Sequence, residues 1–247
     1  MNAAIRVEAL KLTHSLVGAI TTLAVVVGML SLLGSITVGV AAGNPELIAQ
    51  AGPAAVLDWS GLLAGATQIS AVAGVLGFGI VLAWMFGREF TDDTISGLFA
   101  LPVSRTQIAI AKLIVYALWV TAVSIALTLS VLAIGLLIGY GPPSNAAWAA
   151  LGRLCALAVF SGGIAIPAAW IATLTRSLLA AVGTTIALVI AAQIGALAGA
   201  GGWMPLATPA LWAMSDGTAV TPLQLGLTGV IALGSSVLVC VAWSRLE

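Results

Sequence analysis

Side chains with the capacity for chemistry are concentrated in one stretch, residues 87–112, which reads GREFTDDTISGLFALPVSRTQIAIAK. Elsewhere the sequence lacks the combinations that catalysis requires. The pair Ser235-Ser236 could supply a serine nucleophile, but the single histidine, His14, falls on the opposite side of the predicted membrane and cannot act as its base. We therefore predict no catalytic residue on this chain.

Sequence motifs indicate neither a nucleotide site nor a metal site. The Gly-x4-Gly-Lys-Ser/Thr loop that cradles phosphates is absent, and so is the His-Glu-x-x-His zinc motif. Cys155 and Cys240 each lie inside an apolar run, without the neighbouring Cys or His that a metal site needs. The sequence therefore predicts a chain that is not an enzyme and that holds no cofactor and no metal of its own.

The composition identifies the solvent in which these residues must be positioned. Hydrophobic residues make up 61% of the chain and charged residues 6%, whereas a typical soluble domain is about 25% charged. So few charges cannot cover a water-exposed surface, and the bilayer must surround most of the chain. The formal net charge is zero, which gives no indication of a nucleic-acid partner.

Stretches without charges predict an all-α membrane protein with six spans, each long enough to cross the hydrocarbon. The chain is then a single transmembrane domain, residues 1–247. The predicted spans are Ser15–Val40, Ser60–Phe86, Leu113–Tyr140, Leu154–Leu174, Ser177–Ala200 and Pro222–Trp243. Pro167 is predicted to kink the fourth span.

The distribution of lysine and arginine predicts the orientation. Cytoplasmic loops carry the excess of basic residues, and every basic residue except Arg153 falls on one side when both termini are placed inside. We therefore expect N-in and C-in topology, an interfacial helix at residues 1–14 and a cytoplasmic loop at 87–112. In the 1–14 helix, Ile5, Ala9 and Leu12 share one face, and Arg6, Glu8 and Lys11 lie elsewhere.

The external segment 201–221 contains tryptophans and prolines, including Trp203 and Pro205. Two interpretations remain open from the sequence. The segment either re-enters the membrane or forms an ordinary loop in the interfacial aromatic belt.

Within 87–112 the pattern predicts a short amphipathic helix, a break and a capped restart. Thr91 is the predicted N-cap, followed by carboxylates in the first turn, where they favour the helix dipole. Pro102 ends this helix, and Ser104 with Gln107 forms a capping box that begins the next one. The apolar face of the short helix could bury against the bundle or another protein, or lie on the membrane surface; the pattern leaves these open.

These residues resemble the signature loop of ABC-2 type permeases, the membrane subunits of ATP-driven exporters. The resemblance is carried by Arg88-Glu89-Phe90, Thr94, the run Leu98-Phe99-Ala100-Leu101-Pro102-Val103-Ser104-Arg105, and Lys112. The small size of the chain is similar to that of the bacitracin, lantibiotic and drug exporters. One difference is Ile95-Ser96-Gly97, where the family more often has Gly before Thr.

The resemblance implies that the helix in this loop couples the bundle to an ATPase. The coupling residues it implies are Glu89, Thr91, Asp92, Asp93, Thr94, Ile95, Leu98, Phe99, Leu101 and Pro102. It further implies two copies of a separate ATPase that holds ATP and Mg, a second permease protomer of the same or a sister chain, and a multi-pass location in the bacterial inner membrane.

Two amides within the spans, Gln68 and Gln193, are candidates for a substrate pathway, because the resembling family lines its pathway with spans two and five. The alternative is a helix–helix hydrogen bond. The spans hold no ionisable group in their middles, which argues against the alternative function of an ion-gradient-driven carrier or channel without an ATPase. An apolar pathway suggests a drug, lipid or peptide as substrate.

Overall fold

The structure, a computed structural model, describes residues 1–92, 97 and 103–246, and this part of the chain is a bundle of helices. The helices are α1 (Asn2–Thr13), α2 (Leu16–Ala41), α3 (Pro45–Ala51), α4 (Trp59–Thr91), α5 (Arg105–Ile138), α6 (Asn145–Ile164), α7 (Pro167–Thr175), α8 (Leu178–Leu197), α9 (Thr208–Met214) and α10 (Pro222–Ser244). Short 3-10 turns occupy Gly52–Ala55 and Gly201–Trp203.

The prediction of six spans is confirmed. Six helical segments of the described chain are long and apolar enough to cross a membrane: α2, α4, α5, the pair α6–α7, α8 and α10. Span four is broken at Ala165–Ile166, and α7 begins at Pro167, as the proline predicts. A proline has no N–H to continue the helical ladder, so the break falls immediately before it.

Each span begins at a residue whose side chain satisfies a free backbone N–H. Membrane helices need such caps because an unpaired N–H at the edge of the hydrocarbon is costly. The caps are Ser15, Asp58, Ser104, Ser144, Ser177 and Thr221. The Ser104 half of the predicted capping box is confirmed, since its Oγ accepts from the N–H of Gln107 at 3.2 Å.

Helix α4 lies at the centre of the bundle. It packs against α2, α5, α6, α7 and α8, and 56% of its most apolar window is buried. The same fraction is 11% for both α8 and α10, so these two helices are peripheral. A displacement of α4 would therefore change its packing against most of the other spans.

The predicted N-cap at Thr91 is wrong. Helix α4 continues beyond Phe86 to Thr91, whose Oγ1 donates to the carbonyl of Gly87 at 3.2 Å, and Asp92 is the C-cap of α4. The carboxylate of Asp92 therefore follows the last turn of α4, and it pairs with Arg88 at 3.5 Å. The sequence from Phe86 to Thr91 holds no proline, so nothing stops the backbone hydrogen bonds where the apolar run ends.

The segment 201–221 folds onto the end of the bundle opposite to residues 87–92. The hydroxyl of Thr208 donates to the carbonyl of Gly202 at 2.9 Å, and the hydroxyl of Thr228 on α10 donates to the carbonyl of Pro205 at 2.7 Å. Helix α9 packs against α4 and α6. Both interpretations of this segment, re-entry into the membrane and an ordinary interfacial loop, stay predictions.

Candidate functional site

Four charged side chains from three helices meet at one end of the bundle. We call them the ionic cluster: Glu8 and Lys11 from α1, Glu89 from α4 and Lys112 from α5. The ammonium Nζ of Lys112 lies 2.7 Å from Oε1 of Glu89 and 2.8 Å from Oε2 of Glu8. Nζ of Lys11 lies 2.9 Å from Oε1 of Glu89 and 3.1 Å from Oε1 of Glu8. Two positive and two negative charges therefore balance.

Lys112 is held with all its donors used. Besides the two carboxylates, its Nζ donates to the backbone carbonyl of Met85 at 3.0 Å. An ammonium has three N–H groups, and these three contacts account for them. The Lys112 side chain is thus fixed between α1 and α4, although it belongs to α5.

Three of the four members of the ionic cluster are shielded from water, and the fourth, Lys11, is 28% exposed. The side chains of Glu89 and Lys112 are each 1% exposed and that of Glu8 is 5% exposed. The rings of Phe86 and Trp243 each lie 6.0 Å from Nζ of Lys112, and the space around the cluster has no room for a water molecule. Removing one partner from such a buried pair leaves an uncompensated charge and typically costs about 3–5 kcal/mol. The cluster therefore binds α1, α4 and α5 into one block.

Lys11, the one member on the rim of the cluster, has a raised pKa. Burial by itself lowers the pKa of this ammonium, but the hydrogen bond and charge of Glu89 and the charge of Glu8 together outweigh burial. A raised lysine pKa means that the pairing is fully present at neutral pH and is lost only as the pH rises through the folded-state value, above the ordinary 10.5.

The C-terminal span reaches the same end of the bundle. Trp243 on α10 is fully buried, its Nε1 donates to Oγ1 of Thr173 at 3.1 Å, and its ring meets that of Phe86 edge-on with the ring centres 5.8 Å apart. Arg176 lies three residues after Thr173, and Arg245 lies two residues after Trp243. We call this end the basic end and the opposite one the far end.

At the far end a cleft of about 480 Å³ opens between α4, α6 and α9. Its walls are mainly apolar, and its lining includes Trp59, Leu63, Gln68, Ala147, Met214 and Asp216. Gln68 is half-buried there, whereas Gln193 is exposed on α8 and is not part of this lining. Within the described residues neither amide side chain makes a hydrogen bond, and the structure does not bring the two together in this cleft.

A protein-family model described as an ABC-2 family transporter protein matches residues 4–192. The match takes in all four members of the ionic cluster and most of the chain. The chain belongs to the ABC-2 family of transporter proteins.

This ABC-2 family chain is also similar to the bacitracin transport permease protein BCRB of Bacillus licheniformis. The two are 32% identical over 47 residues, which is 19% of this chain and 23% of that protein. The aligned part thus spans less than a quarter of the relative. The family consists of membrane subunits of ABC transporters and not of the ATPases, so this chain is a multi-pass membrane protein of a transporter.

The predicted coupling residues of the ABC-2 chain fall into two groups. Glu89, Thr91 and Asp92 are described: Glu89 is buried in the ionic cluster, and the other two end α4. The rest lie outside the described residues, and their coupling role stays a prediction: Asp93, Thr94, Ile95, Leu98, Phe99, Leu101 and Pro102. Glu89 thus points into the bundle, where it pairs with Lys11 and Lys112.

Sequence reasoning missed the part that Glu8 plays in this ABC-2 chain. We expected it away from the apolar face of α1, but it is buried together with Leu12, one helical turn further on. One local signal was available, since Glu8 and Lys11 are spaced i and i+3, as helical ion pairs are. The partner Lys112 lies 104 residues away, and no local pattern specifies such a contact.

Proposed function

We propose that this chain is the membrane subunit of an ATP-driven exporter, working as a dimer with two copies of a separate ATPase. The ATPase binds the segment that follows Asp92, and its ATP-driven closure moves that segment. Both termini and residues 87–112 lie in the cytoplasm of a bacterial cell, with the spans in the inner membrane. Membership of the ABC-2 family supports the transporter role, and the coupling mechanism is our proposal.

The observation that carries the proposal is that the ionic cluster joins the residue before this segment, Glu89, to a residue after it, Lys112. Glu89 lies three residues before Asp92, and Lys112 lies two helical turns into α5, where the chain has returned to the bundle. Because their direct contact is 2.7 Å long and buried, a force on the segment acts on α4 and α5 together. Glu8 extends the same block to α1. Separating these side chains would leave uncompensated charges in a buried place.

The charge distribution supports the orientation. Lys11 and Lys112 meet in the ionic cluster, Arg88 lies on the turn before Asp92, and Arg245 follows the buried Trp243. Arg153, by contrast, pairs with Asp216 at the far end. An end of a bundle that is rich in Lys and Arg is the cytoplasmic end of most membrane proteins.

The far-end cleft supports a site for an amphiphilic substrate. Its volume of about 480 Å³ falls within the roughly 300–1,000 Å³ of ligand pockets. It offers an apolar wall from Trp59 and Leu63 and the amide of Gln68, which makes no hydrogen bond with any described residue. We propose that a drug, lipid or peptide passes through this cleft as it leaves the cell, and that Gln193 faces the pathway elsewhere.

The test is co-purification in mild detergent from the native host, followed by identification of a P-loop ATPase by mass spectrometry. Phe99→Asp, which puts a charge in the proposed docking helix, should reduce recovery of the ATPase at least tenfold. Gln107→Asp is the matched control, because Gln107 is exposed in the first turn of α5 and receives the same charge. Normal recovery with Phe99→Asp, or transport by the isolated chain driven by an ion gradient, would contradict the proposal.

A further inference from the structure

The far end of the bundle carries more carboxylates than basic groups. Among the described residues there, Glu46, Asp58 and Asp216 are acidic and Arg153 is basic. The cleft of about 480 Å³ between α4, α6 and α9 lies in these surroundings. A cleft with apolar walls concentrates the field of nearby charges and so attracts ligands of the opposite sign.

The two members of the far-end ion pair are unequally accessible from the cleft. Asp216 lines the cleft and its side chain is 80% exposed, whereas the side chain of Arg153 is 17% exposed and is not part of the lining. Nε of Arg153 is buried without a partner among the described residues. The guanidinium contacts Oδ1 of Asp216, and Oδ2 makes no hydrogen bond with any described residue. A ligand in the cleft therefore meets the carboxylate of this pair before the guanidinium.

Asp58 adds a negative charge that no described cation compensates. Its Oδ1 accepts from the N–H of Ser60 at 2.7 Å, from the hydroxyl of Ser60 at 2.6 Å and from the N–H of Gly61 at 3.1 Å. These uncharged donors, the Ser60 hydroxyl above all, lower the pKa of Asp58, so the carboxylate stays ionised at neutral pH. Ser60 and its neighbour Trp59 both line the cleft. The charge of Asp58 thus lies one hydrogen bond away from the lining.

The rest of the cleft suits the apolar part of a ligand. Trp59, Leu63 and Met214 contribute apolar surface to the lining. The hydroxyl of Thr67 donates to the carbonyl of Leu63 at 2.8 Å, and that of Ser60 is bound to the carboxylate described above. These two hydroxyls are therefore used within the protein. Apolar walls with a small number of polar groups that fix orientation are typical of ligand sites.

We propose that the far-end cleft selects positively charged amphiphiles. The apolar body of the ligand lies against Trp59, and its cationic group meets the carboxylate of Asp216 in the field of Asp58. An anionic amphiphile would have to displace Asp216 in order to reach Arg153, which holds that carboxylate in place. The inference rests on the proposed function, because it names the substrate class of the same cleft.

The test is equilibrium dialysis of the purified full chain in phosphatidylcholine nanodiscs, with empty nanodiscs as the blank. The probes are tetraphenylphosphonium and tetraphenylborate, which share their shape and their four phenyl rings and differ in the sign of their charge. We expect saturable binding of tetraphenylphosphonium and no binding of tetraphenylborate beyond the blank. Binding of tetraphenylborate equal to or tighter than that of the cation, or no saturable binding of the cation, would overturn the proposal.

Two aspartate variants test the source of the selectivity. Asp216→Asn and Asp58→Asn should each weaken tetraphenylphosphonium binding about fivefold, the effect of one ion pair open to water. Asn caps helices as well as Asp does, and it tolerates the φ of 55° at position 216. Glu46→Gln is the control, because it removes a carboxylate from an exposed position outside the lining. Unchanged affinity with Asp216→Asn, or an equal loss with Glu46→Gln, would contradict the proposal.

A second pair of variants locates the binding in the cleft. Ala146→Trp fills the cleft from an exposed position in its lining, and Ala149→Trp places the same ring at an exposed position of α6 outside the lining. We expect loss of saturable cation binding with the first variant only, and retention with both would overturn the site.

The dialysis contains no ATPase, so its outcome is separate from that of the exporter test. Absence of cation binding together with normal recovery of the ATPase would overturn the charge selectivity alone. Cation binding by a chain that recovers no ATPase would support the site and contradict the exporter function.

Discussion

The two ends of the bundle hold their ion pairs in contrasting surroundings. At the basic end the side chains of Glu89 and Lys112 are 1% exposed. At the far end Arg153, whose side chain is 17% exposed, pairs with Asp216, whose side chain is 80% exposed, beside an open cleft. Low dielectric makes the first pair strongly interdependent, while water screens the second.

The difference indicates that the basic end moves as one rigid unit. The ionic cluster joins three helices that are distant in sequence, whereas the Arg153–Asp216 pair joins α6 to the turn after α9. An end fixed by buried charges passes on a displacement without deforming. An end whose ion pair is open to water on the Asp216 side, beside a cleft, can adapt to a ligand or to a change in packing.

Glu89→Gln should have the largest effect on stability of the substitutions that test this comparison. It leaves two lysines with Glu8 as their remaining carboxylate in the cluster, at a cost of about 3–5 kcal/mol. For a chain of this size each kcal/mol lowers the unfolding midpoint by about 2–4 °C. Asp92→Asn is the control, because the carboxylate of Asp92 is exposed. Equal midpoints for the two variants in thermal unfolding would remove the distinction between buried and exposed charge.

Lys112→Met should be partly rescued by Glu8→Gln. The single substitution leaves two carboxylates and only one ammonium, that of Lys11, in the cluster. The double variant leaves one positive and one negative charge, Lys11 and Glu89, which contact each other directly. We expect the double variant to be more stable than Lys112→Met alone, with a coupling of about 0.5–3 kcal/mol. Thermal unfolding of the native chain, both single variants and the double variant measures this coupling. Strict additivity would show that the four charges do not act as one cluster.

Arg153→Gln should have the smallest effect. Its partner Asp216 is mostly in solvent, and exposed pairs contribute about 0–1 kcal/mol. The unfolding midpoint should therefore move by no more than a few degrees, and less at high salt. A loss as large as that of Glu89→Gln would mean that the far end is as rigidly held as the basic end.

Much of this architecture could be predicted from the sequence, because the relevant signals are local. Long runs without charge gave the six spans, and Ser104 and Pro167 marked a start and a break through their own backbone chemistry. The end of α4 could not be placed at Thr91, because a helix leaving the membrane continues until its hydrogen bonds are interrupted. Hydrophobicity alone does not indicate the residue at which such a helix ends.

The ionic cluster itself could not be predicted. Lys11 and Glu89 are separated by 78 residues and Glu8 and Lys112 by 104, so their contact depends on how α1 packs against α4 and α5. The resemblance indicated that Glu89 and Lys112 matter. It did not indicate that Glu89 faces inward or that Glu8 completes the charge balance.

The central claim is that a separate ATPase acts on the segment after Asp92. It is tested most directly by photo-crosslinking in native membranes. A variant with Cys155→Ala, Cys240→Ala and Phe99→Cys carries a benzophenone on the new cysteine, and Leu57→Cys, exposed at the far end, replaces Phe99→Cys as the control. The account predicts an adduct with a P-loop ATPase from position 99 that changes in yield with ATP, and none from position 57. The absence of that adduct at position 99, or its formation at position 57, would contradict the account.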